Sequence, residues 1–411
     1  MAEKTANVIL TRASDIPIRP VKWLWRSRMP VGSLVLLAGR EGVGKSTLDC
    51  WIAAQVTRGS LPGELHGAPA NVIYIATEDD WNTTLVPRLM AAGADLDRVY
   101  KVAVKLDGQE RESQVYLPEN LNAFEAALEE VGPALVVLSP LMSRVSGKLD
   151  AHKDQQVRQA LEPLVEMAER HGACFLGLIH LNKSVTADPL RAVMASAAFV
   201  AVARAVLFVA RDPEDPETRV VGQPKNNLGQ TDFEIGLLTF TIENSKVGQS
   251  AEGEDVFATR LRWGNDRDGT IEQVLTDTAE PNEARTATRE AADWLLDYLA
   301  AHDGEAPFAD VQTDSKTAGI SIDALKRGRV RARVESVRTK TVPSTTVWRL
   351  PGPKLGHSAR SPLFDLSALS APSTRSTQRT EGTRDARADL RRVEPPTPGQ
   401  RPERPAERVI R

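Results

Sequence analysis

Residues 39 to 46 read Gly-Arg-Glu-Gly-Val-Gly-Lys-Ser, the pattern G-x-x-x-x-G-K-[ST]. Small residues at that spacing let backbone N–H groups surround phosphates at the start of a helix. The lysine adds a point charge on the outer phosphates, and the hydroxyl can reach Mg2+. Gly39, Arg40, Glu41, Gly42, Val43, Gly44, Lys45, Ser46 and Thr47 are therefore expected to cradle a nucleotide, with Ser46 toward the metal. The context agrees: an apolar run, SLVLLA, precedes the loop and an amphipathic segment, STLDCWIAAQV, follows it. The competing reading is a glycine turn beside an exposed lysine.

Three further places carry polar residues just after an apolar run. IYIATEDDW ends in Glu78, Asp79 and Asp80, where a carboxylate can orient water against an outer phosphate; the same acids could cap the next helix, and one division of labour has Asp79 or Asp80 capping while Glu78 faces the nucleotide. PALVVLSPL places Ser139 where nucleotide-hydrolysing proteins usually have a metal-shell acid. Serine reaches a metal-bound water but brings no charge; Asp150 and Asp154 follow and either substitute for it or open the next helix. ACFLGLI leads into His180, a candidate γ-phosphate sensor or a satisfied structural histidine. Arg204 and Lys225 are either surface charges or cations that reach a neighbouring subunit's nucleotide.

These residues need a scaffold that brings strand ends to one edge. From Pro20 to about Asn244, β-branched apolar runs alternate with helix-like segments, which predicts an α/β fold with a mostly parallel sheet. Six strands are expected: Ser33 to Ala38, Asn71 to Ala76, Ala134 to Leu138, Ala173 to Ile179, Ala205 to Ala210 and Arg219 to Pro224. Val157, Leu161, Leu164 and Met167 share one face of a helix, and the Trp23 to Trp25 run is expected in the core. The predicted layout is an extension over 1–19, a phosphate-loop domain over 20–245, a linker or accessory segment over 246–281, a small helical module with a strand or wing over 282–353, and a disordered tail over 354–411, rich in Ser, Thr, Pro and Arg.

Taken together, WLWRSRMPVGSLVLLAGREGVGKST, IYIATEDDWNTTLVPRLMAAGADLDRV, PALVVLSPLMS, the segment through IHLNKS and RAVMASAAFVAVARAVLFVARDPED resemble the RecA-like AAA ATPases of the RepA type. These are hexameric replicative helicases of plasmids and related mobile elements, cousins of the DnaB and KaiC ATPases. The resemblance implies ATP and Mg2+ between subunits of a homo-hexameric ring, Glu78 as catalytic carboxylate, His180 as sensor and Arg204 as the finger given in trans. Ser139, and Ala195-Ser196 where a glycine-serine pair is common, depart from the family pattern and bear on turnover more than on binding.

The C-terminal module resembles a winged helix, with AGISIDALKRGRVRARV as turn and recognition helix. Lys326 to Lys340 holds seven basic residues against Glu335, so Lys326, Arg327, Arg329, Arg331 and Arg333 are the expected DNA contacts, a solvated basic face being the alternative. The expected partner is DNA, single-stranded in the ring and duplex at the winged helix. The leading function is an ATP-driven DNA-handling motor, a helicase or loader. The runner-up is a nucleotide-gated DNA-binding regulator that scarcely hydrolyses ATP, and a signalling ATPase without DNA is third.

Composition narrows the rest. The 411 residues carry a net charge of -3, so any basic surface is local. Two cysteines, Cys50 and Cys174, lie far apart in apolar stretches, which excludes a disulfide framework or cysteine metal cluster and fits a reducing cytoplasm. No leader or membrane span is expected, and nothing resembles a primase or nuclease site.

Overall fold

The computed structural model describes residues 10–105, 112–113, 115–145, 149–150, 153–182, 186–193, 197–279, 282–338 and 345–350. The chain divides into two units, residues 21–371 and a second made of 1–20 with 372–411. In the second, residues 10–20 are described: exposed chain with one short turn, Ala13–Asp15. The predicted disordered tail, 354–411, lies outside the described residues, as does the Ala195-Ser196 pair.

The first unit is built on a nine-stranded sheet. Its strands, in chain order, are β1 (Ser33–Gly39), β2 (Val72–Ala76), β3 (Val99–Lys101), β4 (Leu135–Ser139), β5 (Cys174–Ile179), β6 (Ala205–Arg211), β7 (Arg219–Asn226), β8 (Leu238–Gln249) and β9 (Asp255–Trp263). The spatial order is β9-β8-β7-β6-β1-β5-β4-β2-β3, parallel from β6 to β3 and antiparallel from β6 to β9. All six expected strands are present within a few residues of their predicted ends. β1 shows why: every residue of SLVLLAG is buried, the signature of a central strand covered on both faces.

Helices cover both faces. α1 (Lys45–Arg58) and α2 (Val86–Ala92) pack on one side, where Trp51 meets Trp25 at 5.6 Å and Trp263 at 5.0 Å between ring centroids. Trp25 is thus core, as expected, while Trp23 is half-buried. α3 (Leu121–Val131), α4 (Asp154–His171) and α5 (Ala197–Val202) cover the other face, with Val157, Leu161, Leu164 and Met167 all in the core. Cys50 and Cys174 are buried thiols, unpaired with each other.

The stretch 246–281, read from sequence as a linker or accessory segment, instead continues the sheet. It holds the end of β8, all of β9, and α6 (Ile271–Ala279). The hairpin escaped the reading because its outer half is polar and solvated, whereas Leu238, Phe240, Leu261 and Trp263 at its base are buried. Next comes a module of α7 (Asn282–Ala300), β10 (Glu305–Pro307), α8 (Phe308–Thr317), α9 (Ile322–Arg331), β11 (Glu335–Arg338) and β12 (Thr346–Arg349). Its three strands pair in the order β10-β12-β11. That is two strands and one helix more than the sequence predicted. Leu295, Leu299, Val311, Leu325 and Trp348 form its own core. Gly328 permits the α7–α9 crossing, since a Cβ there would lie 2.8 Å from the Ala292 nitrogen.

Candidate nucleotide site

Parallel strands end at a common edge, and that is where β1, β2, β4 and β5 deliver Gly39, the Glu78 loop, Ser139 and His180. The loop between β1 and α1 turns through Gly42 and Gly44, with φ of +69° and +102°. At Gly44 a side chain would be strained by that φ, and its Cβ would also meet Ile242 Cδ1 of β8 at 2.8 Å. The hairpin missed by the sequence therefore braces the loop.

Lys45 opens α1, and its Nζ donates to Gly39 O and Arg40 O, both at 2.8 Å. Burial pushes its ammonium down to about 8, against the opposing pull of Glu41, Glu78 and Asp49. The same Nζ lies 3.4 Å from His180 Nδ1. That contact makes Nδ1 the acceptor and puts the ring proton on Nε2, which points at Glu78 Oε2 from 3.9 Å, too far for a direct hydrogen bond. Burial, then the Lys45 charge, lower the His180 pKa, with Glu78 pulling the other way, so the imidazole is neutral at neutral pH. Glu78 itself is exposed.

The capping that the sequence allowed to Asp79 or Asp80 falls to Asp80. Asp80 caps the turn Trp81–Leu85, accepting from Asn82 N at 3.0 Å and Thr83 N at 2.8 Å. These bonds, above all those from Thr83, hold its carboxyl below the usual range. Asp79 pairs with Arg88 at 3.0 Å. Lys45, Ser46, Glu78, Asp79, Arg88, Ser139 and His180 line one cavity of about 450 Å³. A mainly apolar cavity of about 460 Å³ adjoins the loop's other flank, between Arg40, Val43, Phe208 and Leu275.

Two participants were not legible in the sequence. Arg88 gives no motif signal, being one arginine on an ordinary helix. Asp49 lies one turn beyond Lys45 on α1, is 1% exposed, and accepts a 2.9 Å hydrogen bond from the Tyr74 hydroxyl. Burial pushes its carboxyl up to about 7 even though the Tyr74 bond lowers it. The available signal was an aspartate inside the apolar stretch LDCWIAA.

The remaining candidates lie elsewhere. Asp154 starts α4 and Asp150 sits 3.8 Å from Lys153; neither lines the Lys45 cavity. β6 begins at Ala205, level with Val35 near the start of β1, so Arg204 sits at the sheet edge opposite the loop and is exposed. Lys225 is at that same edge, where its Nζ donates to Val200 O at 2.6 Å and Ala203 O at 2.8 Å, capping α5. In the C-terminal module Lys326 and Arg327 are exposed, the latter donating to Thr288 Oγ1 at 3.0 Å. Arg329 donates to Val334 O and lies over the Trp348 ring. Arg331 binds Asp277 at 2.5 Å and approaches Glu214 at 3.6 Å, and Arg333 donates to Phe233 O at 2.9 Å. The segment read as an open DNA face thus turns Arg331, at the end of α9, and Arg333, just beyond it, toward the sheet domain, because acids and an aromatic ring there compete for them.

A mostly parallel sheet with a phosphate loop at its carboxyl edge, flanked by a glutamate and a histidine that follow two strands on the same side of β1, defines a P-loop core of the RecA-like kind. The comparison with protein families agrees: residues 3–185 match the model of the AAA domain. That match takes in Lys45, Glu78, Ser139 and His180 and ends before Arg204. No curated protein matches the chain. Among the described residues no helix is long and apolar enough to cross a membrane.

Proposed function

We propose that the chain is an ATP-driven DNA-handling motor, a ring-forming replicative helicase or helicase loader of a plasmid, phage or other mobile element. The observation that carries the reading is the file Lys45, His180, Glu78, with spacings of 3.4 and 3.9 Å, across the cavity above the phosphate loop. Lys45 exchanges the carbonyls of Gly39 and Arg40 for the outer phosphates. Glu78, exposed and carboxylate, orients the attacking water and takes its proton. His180, neutral and held between the two, feels the γ-phosphate through Lys45 and passes its presence to β5.

Among the described residues no cluster of three or more His, Cys, Asp or Glu could hold a metal alone. The donor set, with Ser46 and Ser139 lining the cavity, fits Mg2+ that takes most of its oxygens from phosphates and water. Ser46 would hold that ion, which supplies charge neutralisation when bound with ATP. Arg204, exposed at the far edge, is the residue to complete a neighbour's site in a homo-hexamer. Lys225, capping α5, is the weaker finger. The order of elements from α7 to β12 supports a winged-helix reading of the C-terminal module, and with it contact with DNA.

Steady-state ATP hydrolysis by wild type and Lys45→Ala, each with and without single-stranded DNA, tests this. Turnover that rises with DNA and vanishes in the variant supports a motor; turnover indifferent to DNA removes the DNA coupling. One observation favours a second reading, a nucleotide-gated DNA-binding regulator: Ser139 ends β4 in the cavity and brings no charge to the metal shell. If that charge is what limits turnover, Ser139→Asp raises it; an unchanged rate shows that the loss is already made good.

A further inference from the structure

Between α6 and α9 lies a cleft of about 610 Å³ that shares no lining residue with the nucleotide cavity. Among its lining residues is Phe233, 58% exposed, on the short helix Asp232–Ile235. A phenylalanine that open is not held by packing on all sides. The Arg333 guanidinium lies 4.7 Å from the ring centroid, and the same side chain bonds the Phe233 carbonyl, so the ring is fixed from one side. Along the rim stand Lys326 and Arg327, both exposed, and Val330, 61% exposed. At the floor the Arg331 charge is already balanced by Asp277 and Glu214. Lys326 and Arg327 thus stand beside a clamped aromatic ring.

We infer that this cleft binds single-stranded nucleic acid, one base stacking on Phe233 and the adjoining phosphates meeting Lys326 and Arg327. The inference rests on the DNA-handling reading above and changes its geometry. Duplex read from a major groove needs a helix that presents its side chains outward, whereas Arg331 at the end of α9 and Arg333 just beyond it turn to the sheet domain. A single strand needs only a π-face and a nearby line of cations. Glu272, also on the cleft wall, disfavours an acidic peptide as strongly as it does a phosphate, so the aromatic ring rather than net charge selects the ligand.

The test is fluorescence anisotropy on the full chain with labelled oligothymidylate and oligouridylate, against a duplex of equal length and polyglutamate as competitors. Wild type is expected to bind single strands more tightly than duplex, and the tighter of the two oligomers assigns the sugar. Phe233→Ala should weaken binding roughly tenfold, while Phe233→Trp retains it. Lys326→Gln should reduce the slope of log affinity against log salt by about 0.7. Equal binding by Phe233→Ala, or competition by duplex or polyglutamate as effective as by single strand, overturns the cleft. If wild type binds single strands and Phe233→Ala binds them equally, the cleft alone is lost; if wild type binds no nucleic acid, the DNA-handling reading falls with it.

Discussion

The phosphate loop and helix α9 each announce themselves in the sequence through a short run of distinctive residues, yet the fold treats them differently. Gly39 to Thr47 forms the structure its pattern predicts, because the pattern is a statement about backbone: positive φ at Gly42 and Gly44, and a helix that starts at Lys45. The basic run of α9 is a statement about side chains, and where those point is decided by Asp277, Glu214 and Phe233, residues distant in sequence. Motifs anchored in backbone geometry survive folding intact. Charge runs are redistributed by whatever packs against them.

The sharpest way to break that contrast is Lys45→Ala. Charge-assisted hydrogen bonds are worth about 1.5–3 kcal/mol each, so losing the lysine's contacts with two phosphate oxygens should weaken ATP binding by at least about 100-fold. Calorimetric titration of the folded variant checks it. The free lysine, pushed down to about 8, adds a pH signature: wild-type affinity should fall as pH rises through about 8, because the neutral amine no longer attracts phosphate. The variant should lack that dependence. Near-equal ATP binding by the two proteins would detach the loop from its pattern.

Asp49 sharpens the comparison from within the motif's own helix. Its folded pKa of about 7 stands above the ordinary 3.8, so the folded state holds the proton more tightly. The resulting penalty is absent below about pH 4, grows between about 4 and 7 as the buried group is forced to ionise, and is complete above 7. Asp49→Asn keeps an acceptor for the Tyr74 hydroxyl and removes the charge. It should stabilise the protein by roughly 2–4 kcal/mol at pH 8 and much less at pH 4.5. Denaturant unfolding at both values measures the difference, and a pH-independent effect would contradict the assignment.

How far the sequence carried follows the same division. All six expected strands were legible, since a continuous apolar run such as SLVLLAG has few ways to be buried. Glu78, Ser139 and His180 were legible because each closes such a run. The hairpin of β8 and β9 was not, because only its base is apolar. Asp49 and Arg88 were hidden for another reason: their importance comes from Tyr74 and Asp79, partners that only the fold supplies.

On the side of α9, Asp277→Ala should cost about 1–3 kcal/mol, since it removes the 9% exposed carboxylate paired with Arg331 and leaves that arginine, 23% exposed, to Glu214 at 3.6 Å. Limited trypsin digestion gives the direct readout, with cleavage after Arg331 appearing earlier in the variant than in wild type. Unchanged digestion would mean that the ion pair does not hold the helix.

The smallest expected effect separates capping from catalysis among the three acids. Asp80 accepts from the N–H groups of Asn82 and Thr83, so Asp80→Ala removes an N-cap worth about 1 kcal/mol. The exposed carboxylate has no route to the phosphates while it holds those two donors, so the rate of hydrolysis should change less than twofold at a temperature where the variant is folded. Glu78→Gln should do the reverse, leaving the melting temperature in place while turnover collapses, because an exposed side chain contributes little to folding but an amide cannot take the proton from water. A large rate loss in Asp80→Ala with unaltered stability would exchange the roles of the two residues, and would show that even in the loop region the fold, rather than position after a strand, decides which acid faces the nucleotide.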